Sequence, residues 1–164
     1  MSIYKNQIYP YLVSRMGNPK PIREIRQRLV RLAEGTVLEI GAGSGANFVH
    51  YDPARVTKLY ALEPNRGMIV LAEQQRRRTT LDVEFLDLLG ERIPLENDSV
   101  DSIVSTFTLG TIPDVLAALR GMGRVLRPTA SSSSLNLGFH PTRAYAAGRS
   151  GAILSPSGCL KVCI

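Results

Sequence analysis

The stretch VLEIGAGSG (Val37–Gly45) constrains the fold more than any other part of this 164-residue chain. A short run, apolar except for Thr36 and Glu39, leads straight into glycines at 41, 43 and 45. Short apolar runs bounded by glycine read as buried strands of a parallel sheet. Glycines at the end of such a strand permit a tight turn and let the backbone pass close to a ligand. A helix opening there offers free N–H groups to an anion. The dinucleotide fingerprint is G-x-G-x-x-G, and Ala46 stands where its last glycine falls, a tolerated variant. Spacing therefore leaves the nucleotide open, and a tight turn without a ligand stays an alternative.

The rest of the chain alternates strand and helix. NPKPIREIRQRLVRLAEG places Ile22, Ile25, Leu29 and Leu32 at helical spacing, with arginines on the other faces and Gly35 as the stop. Strands are expected near 36–40, 57–62, 82–86 and 100–106, with a short helix over about 45–50. NRGMIVLAEQQRRR follows as a helix with Met68, Ile69, Leu71 and Ala72 inward, and Arg76–Arg78 complement the dipole at its end. PDVLAALRGMGRVLRP is a helix with Val115, Leu119, Met122 and Leu126 on one stripe, stopped by Pro128. The alternation predicts an α/β fold, a doubly wound Rossmann-like parallel sheet in order 3-2-1-4 with helices on both faces.

A second element narrows the ligand. Glu63 ends the second strand, 22 residues after Gly41. A carboxylate there can accept hydrogen bonds from both hydroxyls of a ribose lying across the carboxyl edge of the sheet. The competing role is to cap the helix that follows in PN. Both features fit an adenosine, and neither excludes NAD.

Composition excludes several classes. No apolar run reaches the roughly 18 residues of a membrane span, and no charged n-region precedes an apolar stretch at the N-terminus. Cys159 and Cys163 form neither a disulfide framework nor a metal constellation, so no metal is expected and a cytoplasmic protein is the default. The net charge of +6 is uneven: residues 36–128 hold ten Lys/Arg against twelve acids, and the excess lies outside them. A solvated basic helix face explains this better than nucleic acid, and weak peripheral membrane contact stays open.

VLEIGAGSGAN, ALEPNRGM, GERIPLENDSVDSIVSTFTLGTIPD and ALRGMGRVLRP, in that order, resemble successive motifs of class I S-adenosylmethionine-dependent methyltransferases. The resemblance is greatest to the UbiE-like, type 11 branch that acts on small molecules, and it covers about Ile8–Pro128. It implies S-adenosyl-L-methionine as cofactor and a small-molecule or lipophilic methyl acceptor, with no nucleic acid partner. It implies that Glu39 and the loop Gly41, Ala42, Gly43 and Gly45 hold the amino-acid part of the cofactor. Glu63 with the adjoining Pro64 would hold the ribose, Glu91 would lie near the adenine, and Thr106 would line the methyl-donor end. NAD becomes the runner-up, because the IPLENDSVDSIVST block has no purpose in a dinucleotide enzyme. The sulfonium already activates the methyl group, so alignment and water exclusion suffice, and no catalytic base is assigned to His50 or His140. Residues 1–35, with Tyr4, Tyr9 and Tyr11, resemble a helical lid over the substrate, and 36–128 the cofactor-binding core.

The chain departs from the family after Pro128. Gly121 and Gly123 interrupt the last helix, each costing about 0.8–1 kcal/mol relative to alanine. Sixteen of the last 36 residues are Ser, Ala or Gly, and no acid follows Asp114. This composition suggests a frameshifted or truncated reading in which the C-terminal strands of a seven-stranded sheet are missing or replaced, with residues 129–164 mostly irregular. Only SLNLGF has a strand period, so residues 134–139 are expected to pair with 100–106. Methyl transfer, impaired by this end, is the expected function; a non-catalytic remnant that keeps the nucleotide pocket is the alternative.

Overall fold

The computed structural model describes residues 20–90 and 92–135. Five strands, Gly35–Ile40 (β1), Val56–Leu62 (β2), Val83–Leu86 (β3), Val100–Thr106 (β4) and Leu126–Leu135 (β5), form one sheet in order β3-β2-β1-β4-β5. Every neighbouring pair is parallel. Among the described residues, the helices Lys20–Val30 (α1), Arg66–Arg76 (α2) and Val115–Val125 (α3) accompany it, with short 3-10 turns at Phe48–His50 and Leu109–Thr111. The expected order of the first four strands holds. After β1 the chain winds outward through β2 and β3, then returns to β1's other side as β4, which makes the carboxyl ends of β1 and β4 the switch point.

Alternation along β1 builds a core on each face. Val37 joins Leu59, Ala61, Val83 and Val104 beneath Val30 of α1 and Ala72 of α2. Leu38 and Ile40 join Leu62 and Ile103 beneath Ala118, Met122 and Val125 of α3. Phe48, Leu38, Leu59 and Ile40 are fully buried, and removing such a side chain to alanine costs about 2–5 kcal/mol.

The buried side of α1 agrees with the one its apolar spacing predicts at Leu29 but not at Ile25, nor at Leu32 just beyond the helix. Ile25 and Leu32 are 39% and 50% exposed, whereas Arg26, Leu29, Val30 and Ala33 are buried. Helical period alone cannot anticipate this, because Arg26 is drawn inward by polar partners brought from distant parts of the chain. The expected helix near residues 45–50 is reduced to the 3-10 turn at Phe48–His50.

The end of α3 also differs. The helix stops at Val125, before Pro128, and Leu126 already begins β5. Val100 pairs with Leu126 and Ser102 with Ser131, so Arg127–Ala130 form an irregularity in the ladder. Proline is tolerated there because a bulged residue needs no ladder hydrogen bond. The expected pairing of the tail with β4 is present but displaced. Ser131–Leu135 lie opposite Ser102–Thr106, and residues 136–139 lie outside the described residues. The backbone edge of β4 recruits a strand from LRPTASSSSL, which has no apolar alternation of its own. No described helix is long and apolar enough to cross a membrane.

Candidate cofactor site

The glycine loop leaves the carboxyl end of β1 and folds back on β2. Gly41 and Ala42 donate their N–H groups to the Leu62 carbonyl (2.8 and 3.1 Å), so the loop is stitched to the end of β2. A Cβ on Gly41 would fall 2.2 Å from the side chain of Thr108. On Gly45 it would fall 2.9 Å from the Phe48 ring and 3.1 Å from the Cα of Ala72, so this glycine lets the loop rest against α2. Gly43 differs: nothing lies closer to its Cβ direction than the Gly41 carbonyl, at 3.9 Å. The loop is thus closed at two glycines by packing and open at the third.

Glu63 follows β2 and is 8% exposed. Gly43 N–H donates to its Oε2 and Asn65 N–H to its Oε1, both at 2.9 Å. The cap of α2 is made by Asn65, whose Oδ1 accepts from the N–H groups of Gly67 and Met68 (2.9 and 3.2 Å). Capping is therefore not the task of Glu63. Each of its oxygens accepts one backbone bond and retains a lone pair for another. Burial pushes its pKa up, the two backbone N–H groups hold it back, and the neighbouring Asp87 carboxylate adds to the rise. Pro64, beside it, is exposed.

Glu39 and Thr106 meet in a buried network on the α1 face. Glu39 is 1% exposed, accepting from Asn47 Nδ2 (2.7 Å) and the Tyr51 hydroxyl (3.0 Å). Burial raises its carboxyl to about 7, against the pull of these bonds and of the Arg26 charge. Asn47 Nδ2 also donates to Thr106 Oγ1 (3.2 Å). Arg26, 8% exposed, donates from one guanidinium nitrogen to Asn47 Oδ1 and to Thr106 Oγ1, both at 2.9 Å. Its guanidinium carbon lies 5.2 Å from the centre of the Phe107 ring, a cation–π contact. Desolvation lowers the Arg26 pKa while Glu39 and Tyr51 raise it.

The structure thus brings Gly43 to Glu63, links Glu39 to Thr106 through Asn47 and holds Gly41 and Ala42 on the end of β2, while Glu91 lies outside the described residues. Four polar residues were not foreseen. Asn47 stood in plain view in GAGSGAN, and Tyr51 follows it closely; Arg26 carried no signal, since its helix reads as basic and solvated. Asp87, just past β3, is the acid that couples to Glu63, and it pairs with Arg66 Nε (2.9 Å). No group of metal-ligating side chains occurs among the described residues. A hollow of about 500 Å³ is lined by Phe48, Tyr51, Pro53, Arg77 and Arg78 among others, and none of these glycines or acids lines it.

Comparison with known proteins decides the family. The model of the family described as "Methyltransferase domain" matches residues 38–131. The chain belongs to this methyltransferase domain family. Among curated relatives, the human thiol S-methyltransferase TMT1A is 31% identical over 94 residues, covering 57% of this chain and 38% of that protein. The ubiquinone/menaquinone biosynthesis C-methyltransferase UbiE of Bartonella tribocorum is 28% identical over 101 residues, covering 59% and 39%. The match thus spans about two fifths of the length of these relatives. A crystal structure described as a SAM-dependent methyltransferase from Aquifex aeolicus superposes with a TM-score of 0.57 at 26% identity, over 73% of this chain and 68% of that one. The methyltransferase domain begins inside β1 and ends inside β5, so it contains the glycine loop, Glu63 and Thr106 but leaves out Arg26.

Proposed function

We propose that this methyltransferase domain holds S-adenosyl-L-methionine across the carboxyl edge of its sheet and serves methyl transfer to a small-molecule acceptor. The observation that carries this reading is the pairing of Glu63 with Gly43. A buried carboxylate with lone pairs to spare stands over the one loop glycine whose Cβ direction is open. Ribose hydroxyls need such an acceptor pair, and the adenosyl group needs backbone it can approach closely. The residues fit the cofactor: Glu63 for the ribose, Asp87 for a donor on the base, and Gly41–Gly45 with Glu39 and Thr106 for the amino-acid end.

When bound, the cofactor supplies a methyl group already activated on a sulfonium. The chain's share is to orient that end at the switch point and keep water from it, which a general base need not assist. Carboxylates at Glu63 and Asp87 also favour a cationic ligand over a neutral one. The relatives are named for thiol and quinone chemistry, which supports a small or lipophilic acceptor here.

Calorimetric titration tests the reading. S-Adenosylmethionine and its demethylated product should bind the wild-type chain, and NAD should bind far more weakly. Glu63→Ala removes two ribose acceptors, each worth roughly 1.5–3 kcal/mol as a charge-assisted bond, so affinity should fall at least about a hundredfold. Equal affinity in both proteins, or a preference for NAD, would overturn it.

A further inference from the structure

Arg26 differs from the chain's other described arginines in being buried. We propose that Arg26 is a positioning residue for the cofactor: through Asn47 and Thr106 it presets the Thr106 hydroxyl as a donor toward the amino-acid end, making α1 part of the binding unit. This rests on the reading that S-adenosylmethionine occupies the carboxyl edge.

The polarity of the network is forced by its ends. A guanidinium only donates, so the Asn47 amide turns its oxygen to Arg26 and therefore its nitrogen to Glu39 and Thr106. Thr106 Oγ1 then receives two donors, from Arg26 and from Asn47, neither of which can accept in return. Both lone pairs of the hydroxyl are used, and its proton has no acceptor among the described residues. A hydroxyl held this way offers a hydrogen bond to an incoming acceptor and cannot rotate to receive one. Thr106 is the last residue of β4, and on the reading above it faces the amino-acid end of the cofactor, whose carboxylate is a hydrogen-bond acceptor.

Two further observations support a role beyond packing. Phe107, directly after Thr106, holds a left-handed backbone at φ 61°, a strained conformation for an aromatic residue, and the Arg26 guanidinium lies over its ring. The Nε–H of Arg26 is buried without an acceptor among the described residues. A strained backbone and a buried charge therefore meet beside the same hydroxyl.

The experiment compares two ligands by calorimetry, S-adenosylhomocysteine, which carries the amino-acid part, and 5′-methylthioadenosine, which lacks it. Thr106→Val and Arg26→Lys should each weaken S-adenosylhomocysteine about tenfold while leaving 5′-methylthioadenosine within about twofold. Lysine keeps the charge, but both bonds come from one terminal guanidinium nitrogen, which the shorter lysine side chain does not reach. Thr106→Ser should restore wild-type binding of both ligands. The double variant Arg26→Lys/Thr106→Val should be no weaker than the weaker single one, because the two act as one unit. Parallel losses for both ligands, or unchanged S-adenosylhomocysteine binding in either single variant, would overturn the proposal. A wild-type chain that binds neither ligand would instead overturn the cofactor reading on which it rests.

Discussion

Glu39 is where burial and charge are most sharply opposed. Its carboxyl titrates near 7, chiefly because it is desolvated, whereas an ordinary glutamate titrates near 4.5. A raised folded pKa means that the protonated form is favoured by folding. Its contribution to stability is therefore complete below about pH 4.5 and is lost as pH rises through about 7. The difference corresponds to roughly 3 kcal/mol, at about 1.4 kcal/mol per unit. Glu39→Gln removes the titration while preserving shape. Urea denaturation at about pH 5 and about pH 8 should show the wild type losing clearly more stability than the variant across this interval. Parallel losses in the two proteins would show that Glu39 does not titrate in this window. The sequence showed an acid inside an apolar strand but could not show its environment, because Asn47, Tyr51 and Arg26 reach it only after folding.

The glycine loop divides its labour between packing and approach. Gly45 and Gly43 both have positive φ, at 75° and 57°, so any side chain at either carries left-handed strain of about 1 kcal/mol or more. At Gly45 a methyl would also press on Phe48 and on the backbone of α2. Gly45→Ala should cost about 2–4 kcal/mol in thermal or urea denaturation, strain and overpacking together. Gly43→Ala meets open space and should cost only about 1 kcal/mol, yet it should weaken binding of S-adenosylhomocysteine more than Gly45→Ala weakens it in the folded fraction. Similar stability losses in the two variants would refute this division. The G-x-G-x-G spacing identified the loop, but all its glycines look alike in sequence. Their difference arises because α2 and the Phe48 turn close on one of them and leave another facing the edge of the sheet.

At the scale of the whole molecule, β5 decides whether β4 is an edge. Ser131–Leu135 pair with Ser102–Thr106, the same stretch of β4 that ends in the candidate site. A chain ended after Pro128 should be less stable than one ended after Leu135 and should self-associate through the bared strand, as sedimentation would show. Equal stability, with both chains monomeric, would contradict this. The order of the first four strands, the glycine loop at the switch point and Glu63 beside it were all legible in the chain itself. Hydrophobic period and glycine spacing are local properties that one stretch of sequence carries whole. The full buried side of α1, the Arg26–Asn47–Thr106 network and the serine-rich fifth strand were not. Each depends on partners 21 to 80 residues away in sequence or on a neighbouring strand edge. A buried charge takes its place from the groups that solvate it, and a strand without apolar alternation from the backbone it pairs with, so only the tertiary structure could decide them.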